Sequence, residues 1–63
     1  MEDFKTRLIN EQLELEEKLN KLNEFNQSEK AETIDPVQRD LLILQAGAMY
    51  TYNEILKTRI ERL

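Results

Sequence analysis

The absence of both cysteine and histidine from a chain of only 63 residues strongly restricts what this sequence can fold into. A chain of this length buries only about 60% of its unfolded surface, so an isolated monomer is marginally stable without a further constraint. Disulfides and thiolate metal sites are excluded without cysteine, and the commonest metal ligand and general base is missing without histidine. The sequence therefore predicts one small domain, residues 1–63, that is stabilised by oligomerisation.

The first half of the chain has the apolar spacing of an amphipathic helix. Leu8, Leu15 and Leu22 recur every seven residues, and other apolar side chains lie three or four residues from them. Glu11 and Lys18 interrupt this stripe, and Ile9 and Leu13 form a second, narrower apolar edge, which a single partner helix would not cover. A helix is predicted over about residues 2–25.

A second helix is predicted after a polar break. Residues 26–35 have no periodic apolar pattern and are predicted to be a loop. Asp35 is then a suitable N-cap, with Pro36 at the first helical position. From there the apolar stripe, which includes Leu42, Met49, Tyr52 and Leu56, keeps helical spacing, which predicts a helix over about residues 36–63.

Two helices of similar length joined by a short loop predict an all-α fold, a two-helix antiparallel hairpin. Because both helices carry more than one apolar edge, hairpins are expected to associate into a helical bundle, a dimer or a higher homo-oligomer. The residues expected in the core of that assembly are Leu8, Leu15, Leu22, Leu42, Met49 and Leu56.

Charge and hydropathy exclude several function classes. The net charge is −4, with −5 in residues 1–35 and +1 in residues 36–63, which makes binding to duplex DNA improbable. No apolar stretch approaches the roughly 20 residues that span a bilayer. The acidic start, Met1-Glu2-Asp3, is unlike a secretory signal, so no membrane association is expected.

The sequence offers little material for catalysis. Ser28 is the single serine and has no histidine to activate it, and one glycine cannot build a phosphate-binding loop. We therefore predict no enzyme activity, no catalytic residue, no metal site and no cofactor.

Three features are candidates for binding. Tyr50 and Tyr52 could stack on a base, although an oligomer contact explains Tyr50 and core packing explains Tyr52 equally simply. Residues 46–48 all have small side chains, and this segment around Gly47 fits either a close contact between helices or a shallow pocket for a flat ligand. The basic residues near the end of the second helix either complement the helix dipole or, multiplied by symmetry, hold phosphates: Lys57, Arg59 and Arg62.

The pattern of residues along both helices resembles that of a family of very small phage and prophage proteins, which are related to a protein of crAss-like phages. The resemblance covers nearly the whole chain and rests on Arg7-Leu8, Glu11, Leu15, Lys18-Leu19, Leu22, Phe25, Leu41-Leu42, Gln45, Met49, Tyr52, Leu56 and Arg59-Ile60.

The second helix alone is also similar, more distantly, to hairpins of phage sponge proteins, which sequester cyclic-nucleotide signals of the CBASS and Thoeris defence systems. The matching positions are Ala48-Met49, Tyr50, Asn53, Ile55 and Arg59. This similarity implies a helical oligomer that holds its ligand between protomers, with Tyr50 and Arg59 in contact with it.

From residues and resemblance together, we predict a counter-defence protein of the bacterial host's cytoplasm that sequesters a cyclic oligonucleotide or a related signal. The predicted ligand-binding residues are Tyr50, Tyr52, Lys57, Arg59 and Arg62. One alternative is an acidic oligomer that binds a host protein as a nucleic-acid mimic, through a row that includes Glu11, Glu14, Glu17 and Glu24. A structural phage protein is the third hypothesis.

Overall fold

The computed structural model describes residues 3–63, which form two α-helices and a short connecting helix. Helix α1 spans Phe4–Asn26, a 3₁₀ helix spans Glu29–Thr33, and helix α2 spans Pro36–Glu61. The described residues contain no strand, which confirms the predicted all-α hairpin. The predicted start of the first helix at residue 2 lies outside the described residues.

Side-chain caps fix where both α-helices begin. The Asp3 carboxylate accepts a hydrogen bond of 2.7 Å from the Thr6 amide, and the Asp35 carboxylate accepts one of 3.2 Å from the Gln38 amide. Each cap satisfies one of the amides that the first helical turn leaves without a partner. The predicted start of α2 at Asp35-Pro36 is thereby confirmed.

The two helices run antiparallel along an elongated molecule of 44 × 19 × 14 Å. Near the connection, the Asn26 side-chain amide donates to the Leu42 carbonyl at 3.2 Å. Halfway along the pair, the Gln12 amide donates to the Asn53 side-chain oxygen at 3.1 Å. Residues near the start of α1 therefore lie beside residues near the end of α2.

The core is a narrow seam between α1 and α2. Leu8, Leu19 and Leu56 are buried in it, together with the polar pair Gln12 and Asn53. The seam therefore contains a hydrogen-bonded polar layer, which the leucine spacing did not predict. Of the residues expected in the core, Leu8 and Leu56 are buried and the others are half-buried within the single chain: Leu15, Leu22, Leu42 and Met49.

The connection between the helices is more ordered than the predicted loop. Ala31, in the 3₁₀ helix, is fully buried. The Ser28 hydroxyl donates to the Phe25 carbonyl at 2.6 Å, which satisfies a carbonyl in the last turn of α1. A small side chain at residue 31 lets the connection pack closely against the helix ends.

Within the described part of the chain, neither helix is both long enough and apolar enough to cross a membrane.

Candidate functional site

A group of cations and aromatic surface lies at the open end of the hairpin, opposite the connection. There the first turns of α1 face the last turns of α2 and border a cleft of about 320 Å³. We call it the basic cleft, and its lining residues are Phe4, Arg7, Leu8, Glu11 and Arg59.

Arg59 and Phe4 meet across the basic cleft. The Arg59 guanidinium carbon lies 5.9 Å from the centroid of the Phe4 ring, which is within the range of a cation–π contact. Phe4 is 56% exposed, so much of its ring remains open to solvent or to a ligand. The cleft thus combines a positioned guanidinium with an accessible aromatic surface.

The local charge of the basic cleft is opposite to that of the chain. Among the described residues that line it, Arg7 and Arg59 supply two guanidiniums and Glu11 one carboxylate, whereas the whole chain carries −4. Guanidinium groups bind phosphate and carboxylate oxygens in pairs of hydrogen bonds. This end of the hairpin is therefore suited to an anionic ligand.

Tyr52 adjoins the basic cleft through Glu11. Its hydroxyl donates a hydrogen bond to the Glu11 carboxylate across the helix pair. The tyrosine is 45% exposed and does not enter the core as its place in the apolar stripe predicted, because it lies on the flank of the seam that faces Glu11. The bond engages the one carboxylate of the cleft and leaves the Tyr52 ring partly accessible.

Lys57 is engaged in ion pairs elsewhere. Its ammonium lies 3.0 Å from a Glu16 carboxylate oxygen and 3.7 Å from one of Glu54. The hydrogen bond and charge of Glu16 raise the pKa of Lys57 above its usual range. In return the pKa of Glu16 is lowered, first by the bond from Lys57 and then by one from Asn53. This predicted site residue is already neutralised within the chain.

Tyr50 lies in a different groove, nearer the connection. It is 58% exposed and lines a hollow with Gly47, Asn23 and Gln27, none of which is charged. A Cβ atom added to Gly47 would meet nothing within 4 Å, so no close intrachain helix contact explains this glycine. Tyr50 and Arg59 are nine residues apart, which places them on opposite flanks of α2.

Arg62 follows the last helical residue of α2 and is exposed. Its backbone amide bonds to carbonyls of the last turn, including that of Arg59 at 3.3 Å. Of the five predicted ligand-binding residues, Arg59 lines the cleft, Tyr52 adjoins it and Arg62 lies one turn away. The structure places Tyr50 and Lys57 outside it.

The sequence reasoning missed two members of the basic cleft, Phe4 and Arg7. The signal that could have found them is the antiparallel pairing itself, which sets the start of α1 beside Arg59. Among residues 3–63, no cluster of three or more acidic side chains is arranged to hold a metal ion.

No curated protein matches the chain significantly. No solved structure does so either. A family model described as Sequestin matches residues 2–62, and this name suggests a sequestering, binding role in place of a catalytic one. Because the match covers nearly the whole sequence, the chain belongs to the Sequestin family.

Proposed function

We propose that this protein sequesters an anionic nucleotide signal, a cyclic oligonucleotide or a related cyclic nucleotide, at the basic cleft. In this proposal it acts as a phage counter-defence protein in the cytoplasm of the bacterial host, and it holds the ligand between copies of a homo-oligomer. The family name supports the sequestering role. The observation that carries the choice of ligand is that Arg7 and Arg59 line one cleft together with an exposed Phe4 ring, over which the Arg59 guanidinium lies.

Charge supports an anionic ligand. Two arginines line one cleft in a chain that carries −4 overall, and within residues 3–63 the lining of the cleft includes one carboxylate. A charge-assisted hydrogen bond from a guanidinium is roughly twice as strong as a neutral one, and a pair of arginines fits two oxygens of one phosphate. A neutral or cationic ligand would form no ion pair with these arginines.

Aromatic surface supports a ligand that carries bases. Phe4 exposes 56% of its surface beside the arginines, and Tyr52 adjoins the same cleft. Stacking of a base on an aromatic side chain contributes about 1–3 kcal/mol. A nucleotide could therefore place its phosphate on Arg7 and Arg59 while a base covers the Phe4 ring.

Association of copies supports higher affinity. One cleft carries a net charge of only +1, which is weak complementarity for a ligand with two or more phosphates. A second copy at the same end would double the arginines and bring Arg62 close to the ligand. Lys57 is expected to contribute less than the arginines because Glu16 already neutralises it.

Calorimetry against a panel of nucleotides tests the proposal. The panel contains cyclic dinucleotides, cyclic trinucleotides and cyclic ADP-ribose isomers, measured at low and at physiological salt. At least one is expected to bind with micromolar or better affinity, about −8 kcal/mol, and Arg59→Ala should remove most of that binding. Arg39→Ala, which removes an arginine that lies near the connection beside Glu32 and Asp40, is the matched control and should bind normally.

The second candidate function is the acidic mimic that binds a host protein. Glu14, Glu17 and Glu24 are exposed on α1, although Glu17 is paired with Lys21 at 3.2 Å. If no nucleotide binds at either salt concentration, the proposal that this protein sequesters a nucleotide fails. Strongly salt-dependent binding to basic host proteins would then favour the mimic.

A further inference from the structure

The side of α2 that faces away from α1 carries an uncharged stripe with the spacing of a coiled-coil seam. Its members alternate by four and three residues, the heptad pattern that brings side chains to one helix face. The structure leaves all of them exposed, with Leu44 at 69% and Val37 at 63%. We call this set the outer stripe: Val37, Leu41, Leu44, Ala48, Thr51, Ile55 and Thr58.

The two threonines of the outer stripe are compatible with burial. The Thr51 hydroxyl donates to the Gly47 carbonyl at 3.2 Å, and the Thr58 hydroxyl donates to the Glu54 carbonyl at 3.0 Å. Each hydroxyl is therefore satisfied within its own helix and leaves no unpaired donor if the face is covered. A shallow hollow of about 310 Å³ offers space for a side chain of a partner, and it is lined by three members of the outer stripe and two flanking charged residues: Thr51, Ile55, Thr58, Glu54 and Arg59.

The elongated chain exposes more surface than a compact monomer of its mass, by an amount sufficient for one dimer interface. The accessible surface is 5124 Å², whereas a compact monomer of 7.5 kDa is expected to expose about 4,200 Å². The excess of about 900 Å² is close to the roughly 800 Å² that each partner buries in a standard interface.

We propose that the outer stripe binds the outer stripe of a second copy of this chain, with the two α2 helices parallel. This inference deepens the association part of the proposed function, and its test uses no nucleotide. A second copy offers the same heptad pattern and the same length of apolar surface, so the contact closes as a symmetric dimer. Because the outer stripe faces away from α1, the four helices then lie side by side with the two α2 helices at the centre.

The charges that flank the outer stripe favour the parallel direction. In a parallel pair, Glu54 of one copy faces Arg59 of the other, five residues further along, which is the usual position of interhelical ion pairs. A guanidinium has five N–H donors, so Arg59 can bond this carboxylate and a ligand in the basic cleft at the same time. In an antiparallel pair that overlaps the full stripe, Asp40 would face Glu54 of the other copy and the two carboxylates would repel. A parallel pair also brings both basic clefts to the same end of the assembly.

The oligomeric mass provides the first test. Sedimentation equilibrium of the whole chain at micromolar concentration should give twice the 7.5 kDa chain mass. Leu44→Lys should halve that mass, because it would bury a charge in the interface between the two outer stripes. Leu13→Lys, which changes a leucine of α1 that is 56% exposed, should leave the dimer intact. A monomeric wild type, or a Leu44→Lys protein that keeps the wild-type mass, would overturn the inference.

Cross-linking provides the second test and does not depend on how well the lysine variant folds. The chain has no cysteine, so Val37→Cys or Thr58→Cys introduces a single thiol. In a parallel dimer each variant should oxidise to a covalent dimer with itself, whereas Leu13→Cys should not. In an antiparallel dimer the two Val37 positions lie about 30 Å apart. Cross-linking only between the Val37→Cys and Thr58→Cys proteins would therefore contradict the parallel arrangement.

Discussion

The side chains of Gln12 and Asn53 form a hydrogen bond of 3.1 Å between the two helices, with Gln12 only 7% and Asn53 only 3% exposed. Asn53 also donates to Glu16 at 3.4 Å, which in turn is paired with Lys57. A buried polar pair of this kind costs free energy in any alignment that separates its members, so it favours one register of the hairpin. The polar part of the seam therefore contributes to the alignment of the two helices.

The polar layer predicts a non-additive pair of substitutions. Gln12→Leu should lower the free energy of unfolding by about 1–3 kcal/mol, because it leaves the buried Asn53 oxygen without a donor. Adding Asn53→Leu should recover part of that loss, since two apolar partners need no hydrogen bond. Urea unfolding of the two single variants and the double variant at one protein concentration measures the coupling. Strict additivity would mean that the two side chains do not interact.

The seam also predicts a ranking of core substitutions. Leu56 is fully buried, and Leu56→Ala should cost about 2–5 kcal/mol of unfolding free energy. Leu15 is half-buried within the single chain, so Leu15→Ala should cost less. Thermal and urea unfolding of both variants gives the comparison. Equal losses would indicate that Leu15 is covered by something other than α2 of its own chain.

Acid should weaken the hairpin through Glu16. Its pKa lies below the ordinary value of 4.5, mainly because Lys57 donates to it, so the unfolded state binds its proton more readily. The stabilisation is fully present above about pH 4.5 and is lost as the pH falls through the lower folded pKa. Lys57 gives the opposite dependence: its stabilisation is present below its ordinary pKa of 10.5 and is lost as the pH rises through the higher folded value.

The measurement is the unfolding free energy of wild type and Glu16→Gln over the acidic and alkaline ranges. Glu16→Gln should reduce the pH dependence at both ends of the profile, because it removes the carboxylate and the nearer partner of Lys57 together, whereas Asp3 and Glu54 remain. Glu29→Gln, a change in the exposed connection, is the matched control and should leave the profile unchanged. A Glu16→Gln profile identical to wild type would show that this pair does not contribute.

Gly47 predicts a stabilising change. Its backbone has no positive φ, and a Cβ atom at this position would meet nothing within 4 Å. Gly47→Ala should therefore raise helix content and add up to about 1 kcal/mol to the free energy of unfolding. Circular dichroism with urea unfolding measures both. A loss of stability would instead indicate that another copy or a ligand approaches this glycine closely.

The local signals of the sequence predicted the fold well. Asp35-Pro36 marked the start of α2, and the leucine spacing identified both helices, because capping and periodicity depend on neighbouring residues. The buried Ala31 and the Gln12–Asn53 layer were missed, since which polar or small residue is covered depends on how the helices pair. Glu11 and Lys18, which interrupt the apolar stripe in the sequence, do not interrupt the core, because both side chains are exposed at the flanks of the seam.

The candidate site was only partly predictable. Arg59 was identified from the local excess of cations, but Phe4 and Arg7 reach it from the other end of the sequence. Lys57 appeared equivalent to Arg59 in the sequence, and only the helix pairing shows that Glu16 and Glu54 engage it. Local composition identifies charged residues, whereas the register of the hairpin decides which of them remain available.

The most direct test of the central claim is to map nucleotide binding along the chain by NMR. Backbone amide shifts of the ¹⁵N-labelled protein are followed while the tightest-binding nucleotide of the calorimetric panel is added, or the whole panel in turn if calorimetry detects none. Binding at the basic cleft predicts the largest changes at Phe4, Arg7 and Arg59, and small changes at Ala31 and Arg39 near the connection. Unchanged shifts throughout the chain for every nucleotide, or changes confined to the groove around Gly47 and Tyr50, would contradict the account.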